Sequence, residues 1–268
     1  MHLQTDPITP STQTPPPGPG PTPAPKKHLY FAYGSNLSPT QMSTRCRNNP
    51  SSSIPLAIAF LPHWRWLICQ AGYANVLPPP GQRVGKQKSD AADEVPVSSP
   101  GWGGVDGVWG VLYRMDARDE GLLDGYEGVD VHAGSAGGGE VGVDVRPREQ
   151  GLGDYNKWYC RARVVRWLVG DGEGARGDGD VDLDAEDAEE VDVLVYVDEN
   201  RVVLGPPRVE YIGRMNRAIK ECVELGVDEG WIEGVKARQC GDMSDERGMG
   251  RSGAGGLGYA SPPETEPN

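Results

Sequence analysis

Histidine is scarce in this chain: four residues in 268, at positions 2, 28, 63 and 132. None sits beside a serine in a pattern that activates it, and no G-x-S-x-G elbow is present, which argues against a Ser–His–acid hydrolase. The five cysteines, at 46, 69, 160, 222 and 240, include no C-x-x-C pair. That lack removes the spacing of a zinc site and of a disulfide framework, and leaves reduced, mostly buried thiols; no metal or cofactor is expected. Long apolar runs are missing as well, so nothing approaches the roughly 20 residues of a membrane span. The opening M-H-L-Q-T-D-P lacks the charged-then-apolar order of a signal peptide. A soluble cytoplasmic protein is the expectation, with no membrane partner. Basic charge is also short, at 26 Lys and Arg against 39 Asp and Glu. Without a basic stripe, nucleic acid is not an expected partner.

What the chain has in abundance is glycine and proline, 38 and 24 residues, together about 23%. Such a share approaches that of low-complexity sequence, so the folded part must be smaller than the chain. Residues 1–27, with nine prolines from Pro7 to Pro25, read as an extended polyproline-type tail. Residues 241–268, rich in Gly, Ser and Pro, read as a second disordered tail. A single domain over 28–240 remains, carrying insertions at about 78–107, 132–153 and 170–190. The net charge of −13 belongs largely to one of them: Asp171 to Asp192 holds eleven acidic residues and one Arg. A run of that kind repels itself and stays solvated.

Within the domain, Leu29-Tyr30-Phe31-Ala32-Tyr33 has strand character and delivers the polar turn Gly34-Ser35-Asn36 before Leu37. Ser38-Pro39-Thr40-Gln41 has a helix-start signature, with Ser38 as N-cap and Gln41 completing a capping box, in a short helix ending near Arg47. A helix N-terminus there favours a bound anion. Strands are expected at Ala57–Leu61, Trp64–Cys69 and 72–77. Val108–Tyr113, nearly all apolar, is expected as a central strand covered on both sides. Asp116 caps the next helix, which buries Leu122 and Leu123 and stops at Gly125. Lys157–Val169 and Val191–Val197 read as a further strand pair. After Pro206-Pro207 comes a last helix with its inner face on Val209, Ile212, Met215, Ile219 and Cys222 or Val223. The sum is an α+β fold, a small mixed β-barrel-like sheet with a few packed helices, built from some 130–150 ordered residues.

Two places offer chemistry. Gly34 lets the backbone approach a ligand closely, while Ser35 and Asn36 add a hydroxyl and an amide that orient a carboxylate or carbonyl. Glu127 follows the second helix among Leu122, Leu123, Tyr126 and Val129, a setting in which a desolvated carboxyl can take and return a proton near neutral pH. Read alone, a glutamate after a helix is more often a solvated surface group.

Three segments in order change that balance: Tyr33-Gly34-Ser35-Asn36-Leu37, then Val108-Trp109-Gly110-Val111-Leu112-Tyr113, then Leu123-Asp124-Gly125-Tyr126-Glu127-Gly128-Val129. Together they resemble the γ-glutamylcyclotransferase family over about residues 29–77, 105–131, 155–169 and 191–222. The resemblance implies a cavity formed by Tyr33, Gly34, Ser35, Asn36 and Leu37 with Glu127 as catalytic proton shuttle, acting without metal or cofactor. It implies release of 5-oxoproline from a small γ-glutamyl amino acid or peptide, the substrate's own α-amine attacking its γ-carbonyl. Tyr159 falls where the family places a cavity-lining tyrosine, and Tyr196 at a matching point on the later strand. Trp109, Tyr113 and Met115 read as core, and Arg45 and Arg47 as surface cations near a helix end. Action on γ-glutamylamines stays open because no residue rules it out, and a weakly active or inactive member serving as a binding module because the insertion after Glu127 can cover or distort the site. A monomer or homodimer is expected.

Overall fold

The computed structural model describes residues 29–95, 106–133, 149–168 and 188–239. Its elements run β1 (Leu29–Ala32), α1 (Pro39–Arg45), β2 (Pro55–Pro62), β3 (Arg65–Ile68), β4 (Ala74–Leu77), α2 (Asp90–Asp93) and β5 (Gly107–Tyr113), then α3 (Ala117–Tyr126), β6 (Asn156–Trp167), β7 (Glu190–Val197), α4 (Val209–Glu224) and α5 (Glu229–Gln239). Five strands close into a barrel in the order β1-β5-β2-β6-β7, and β3 and β4 form a separate two-stranded ribbon. The α+β class and the small mixed barrel expected from the sequence are both present. Every barrel pairing is antiparallel except the closing one, where β7 runs parallel to β1 with Tyr30 opposite Leu194.

The reason these segments close is apolar supply. All four residues of β1 are buried, and β5 buries six of seven, with only Trp109 partly open. β5 lies between β1 and β2, the central position expected for Val108–Tyr113. Each large side chain removed from water contributes about 1.5–3 kcal/mol, and Phe31, Phe60, Trp158, Tyr113 and Tyr196 are all fully or nearly fully buried.

Several boundaries differ from the sequence reading. α1 stops at Arg45, with Cys46 at its C-cap, two residues before the expected end. α3 runs through Gly125 to Tyr126, and the stop is Gly128 at φ 62°. The C-terminal turn there is a Schellman arrangement: Val129 N–H bonds the Asp124 carbonyl at 2.9 Å, and Gly128 N–H bonds that of Gly125. Gly125 lacks that left-handed φ, so it could not end the helix. Leu123 is buried as expected, whereas Leu122 is only partly so. On α4 the inner face is Tyr211, Met215, Ala218, Ile219 and Cys222, and Val209 is 86% exposed. Pro206-Pro207 precede the helix, whose N-cap is Arg208; in its first turn Val209 faces out while Tyr211 is buried.

Two regions gave no elements to the sequence reading. α5 follows α4 and buries Trp231, Ile232 and Val235, with Trp231 edge-on to Trp66. Residues 80–93 form two 3-10 turns and α2, and Ala92 and Val95 pack on Leu67, Cys69 and Leu77 as a satellite core. The middle of the 78–107 segment, most of 132–153 and of 170–190, and both tails lie outside the described residues. The last acids of the acidic run belong to β7, where Glu190 meets Arg161 at 3.3 Å across the outer face of the barrel. Among the described residues no helix is long and apolar enough to cross a membrane.

Candidate active site

Immediately after β1 the chain folds into a single 3-10 turn over Ser35–Leu37, in which Leu37 N–H bonds the Gly34 carbonyl at 2.9 Å. This turn fixes where its side chains go. Asn36 donates from Nδ2 to the Tyr30 hydroxyl (2.8 Å) and to Glu127 Oε1 (3.0 Å), while its Oδ1 accepts from Gln41 Nε2 (2.9 Å). The same Gln41 amide reaches Ser35 Oγ at 2.6 Å. The expected capping box is therefore half formed. Ser38 Oγ does accept from Gln41 N–H, but the Gln41 side chain turns to the loop and serves as its anchor. The anion expected at this helix start is the protein's own: the Glu221 carboxylate accepts from Ser38 Oγ (2.6 Å) and Thr40 N–H (3.1 Å).

Glu127 occupies the C-cap of α3, positioned by the Schellman turn behind it. A carboxylate at the negative end of a helix dipole is unfavourable by about 0.3–1 kcal/mol. Arg45 offsets that: its Nη1 donates to Glu127 Oε1 at 2.7 Å, with only 13% and 16% of the two side chains exposed. The guanidinium also lies 5.0 Å over the Tyr126 ring. The apolar setting expected around Glu127 is thus replaced by an amide and a guanidinium. Arg45, set aside as a surface cation, is a neighbour of the site. Both bonds fall on Oε1, so Oε2 takes part in neither.

These groups line a cavity of about 320 Å³, at the small end of the range for small-molecule sites. Tyr33, Gly34, Ser35, Asn36, Tyr196 and Glu127 of the expected set all contribute to its wall. Leu37 does not: it is fully buried and its carbonyl accepts from the Tyr113 hydroxyl. Nor does Tyr159, which β6 carries on the same face as Lys157 and Tyr196 but farther along the ladder, opposite Leu194. The tyrosine that this segment brings to the cavity is Tyr155, just before β6, whose hydroxyl donates to the Ala74 carbonyl at 2.7 Å. Gly34 has φ −116°, no left-handed turn; a Cβ there would lie 3.0 Å from the Tyr211 hydroxyl. Backbone amides of Ala74 and Ser35 hydrogen-bond that hydroxyl, so Tyr211 on α4 holds the other flank of the loop.

Proton chemistry in the cavity narrows to few groups. Burial pushes the hydroxyls of Tyr30, Tyr33, Tyr155 and Tyr211 well up, the Glu127 charge adding to each. Burial and then Asp124, which accepts from Tyr196 at 2.6 Å, do the same for Tyr196. All five stay neutral hydroxyls near pH 7 and cannot serve as bases. Neither described histidine, His63 or His132, and none of the four described cysteines lines the wall. No group of three or more His, Cys, Asp or Glu with metal-ligand placement occurs among the described residues. Among the described residues Glu127 and Asp154 are the carboxylates of the wall, and Asp154 is bound to Arg201 at 2.5 Å.

Sequence reasoning missed Arg45, Gln41, Tyr155, Tyr211, Arg201 and Arg214 as parts of the site. Only Gln41 left a usable trace, as a polar residue on the buried side of a short helix.

No family model matches the chain, and no curated protein matches it. Among solved structures, the crystal structure of YkqA from Bacillus subtilis aligns with a TM-score of 0.45 at 15% identity, covering 80% of this chain and 55% of that one. The chain therefore spans about half the length of that protein, and the likeness is one of chain trace.

Proposed function

We propose that this protein is a γ-glutamylcyclotransferase, with Glu127 moving the proton and the 34–36 loop holding the γ-glutamyl group. The observation that carries the reading is the 3.0 Å bond between Asn36 Nδ2 and Glu127 Oε1, joining two segments 91 residues apart on one cavity wall. In the proposed reaction the neutral α-amine of the substrate attacks its own γ-carbonyl carbon, closing a five-membered ring. The N–C bond forms, the carbonyl oxygen takes the charge, and Glu127 accepts the amine proton. Collapse of that intermediate breaks the bond to the leaving nitrogen, which recovers the proton from Glu127. The products are 5-oxoproline and a free amine or amino acid. No protein nucleophile is needed, in keeping with a wall to which none of the described Cys and His residues contributes.

Ring closure within one molecule is chiefly a matter of orientation, and a loop locked by Gln41, Tyr30 and Tyr211 suits that task. Leu37 N–H and Ser38 N–H are used within the turn and the Asn36 side-chain amide on Tyr30 and Glu127, so the oxyanion would draw on the loop's remaining backbone N–H groups. The ion pair between Arg45 and Glu127 favours a second reading, a binding module with little turnover, because the carboxylate already has a partner before any substrate arrives. A panel of γ-glutamyl dipeptides, glutathione, γ-glutamyl-ε-lysine and γ-glutamylamines, assayed for 5-oxoproline, separates the two. Release from at least one member is expected. Ligand-induced thermal stabilisation with no release from any member would overturn the enzymatic reading.

A further inference from the structure

Among the described residues three guanidiniums line the cavity, and their partners differ. Arg45 is paired with Glu127 at 2.7 Å. Arg201 is paired with two carboxylates, Asp154 at 2.5 Å and Asp198 at 3.2 Å. Arg214, half-buried on α4, meets no carboxylate within ion-pair distance among the described residues. Its guanidinium lies instead 5.0 Å over the Tyr211 ring and 5.7 Å over the Tyr73 ring. Glu210, one turn back, spends Oε1 on the Tyr73 hydroxyl at 2.9 Å. A cation held by two aromatic faces keeps its N–H donors for a ligand, and an arginine fork suits a carboxylate.

Its place relative to Glu127 follows from the loop between them. Asn36 meets Glu127, while the Ser35 amide and Gly34 meet Tyr211, over which Arg214 lies. The two charged poles thus stand on either side of the 34–36 loop. In a γ-glutamyl substrate the α-carboxylate shares a carbon with the attacking amine. It therefore stays at the Glu127 pole, where Arg45 supplies the cation. The leaving nitrogen, on the γ-carbonyl, also stays within reach of Glu127, but the carboxylate that the leaving group carries projects beyond it, away from the glutamyl α-carbon.

We infer that Arg214 binds the carboxylate of the leaving group, so that the ligand is a γ-glutamyl amino acid or peptide with a free carboxylate there and not a γ-glutamylamine. The inference rests on the cyclotransferase reading for the orientation of the ligand. Two compounds isolate the group in question, γ-glutamylalanine and γ-glutamylethylamine, which differ only by that carboxylate.

Their affinities are measured by calorimetry on the full chain and on Arg214→Met and Arg214→Lys, with thermal melts to establish that each variant is folded. The wild-type chain is expected to prefer γ-glutamylalanine by about 10- to 100-fold, the loss typical of a charge-assisted bond. Arg214→Met should bring the two compounds within about threefold by weakening γ-glutamylalanine alone, and Arg214→Lys should keep part of the preference. Equal wild-type affinities, no binding of either compound, or equal weakening of both by Arg214→Met overturns the assignment. If the preference holds but neither compound releases 5-oxoproline, the activity falls and the carboxylate site stands.

Discussion

Removing the Asp119 carboxyl should loosen the seam that brings Arg45 and Glu127 together. Asp119 lies in the first turn of α3 and is fully buried. Its Oδ1 accepts from the Asn48 N–H at 2.8 Å and the Asn48 side-chain amide at 3.1 Å, and Oδ2 accepts from the Asn49 N–H at 2.9 Å. It thereby ties the helix that ends in Glu127 to the segment just after α1, the helix that ends in Arg45. Asp119→Ala leaves two backbone donors without their acceptor, at about 1–3 kcal/mol each when buried. Asn48 is exposed, so water recovers part of the loss and the lower half of that range applies. The favourable placement of an acid at a helix N-terminus adds about 0.3–1 kcal/mol. The expected loss is about 2–5 kcal/mol, or roughly 5–20 °C in Tm for a domain of this size.

The pH dependence gives an independent sign. Burial alone would raise the Asp119 carboxyl, but the bonds from Asn48, Ser52 and Asn49 outweigh it and hold it below the usual 3.8. A depressed folded-state value means stability that is fully present above about pH 4 and lost as pH falls through the folded value. Thermal melts from pH 8 to pH 2.5 should therefore show a constant gap between wild type and Asp119→Ala down to about pH 4, narrowing below it. A variant melting within about 2 °C of wild type at pH 7 would refute the reasoning, as would a gap that does not shrink in acid.

Two further predictions test the barrel and the loop. A Cβ on Gly110 would lie 2.4 Å from Phe31 Cζ and 2.6 Å from the Ala32 carbonyl oxygen, so Gly110→Ala should destabilise by about 1–3 kcal/mol in a denaturant titration; no loss would mean that β1 and β5 are not packed as described. Ser35→Ala removes one acceptor of Gln41 but leaves the Asn36 anchor, so 5-oxoproline release should stay within about tenfold of wild type. Loss of 10⁴-fold or more would point to Ser35 as a nucleophile and contradict its place in the cradle.

The strands were legible because their signals are local. β1, β2 and β5 are short, dense runs of apolar and β-forming residues that read the same wherever the chain places them, and Ser38 caps α1 through a bond three residues long. The pairing of Glu127 with the 33–36 loop came from family resemblance and not from any pattern in the residues themselves. What stayed hidden depends on partners distant in sequence. Arg45 at a helix end looks like any solvated cation until α3 brings Glu127 to it, 82 residues on. On α4 the three-and-four spacing was visible but its start was not. Val209 carries the right apolarity on the outer side of the first turn, while Tyr211, two residues on, is buried against Tyr73 and the loop. Tyr155 and Tyr159 share a strand parity, and only their position relative to β6 decides which one reaches the cavity: Tyr155 lies just before the strand and Tyr159 within its ladder, opposite Leu194. α5 was the avoidable omission, since Trp231, Ile232 and Val235 already carry a helical spacing.

The central claim, that Glu127 carries the proton between the substrate's two nitrogens, is tested most directly by Glu127→Gln. The amide keeps the shape and can still meet Asn36 and Arg45, but it cannot accept and return a proton. With the best substrate of the γ-glutamyl panel, kcat for 5-oxoproline release should fall by about 10²–10⁴-fold, with calorimetric Kd within a few-fold of wild type. Turnover within tenfold of wild type in a folded, ligand-binding Glu127→Gln protein would contradict the account.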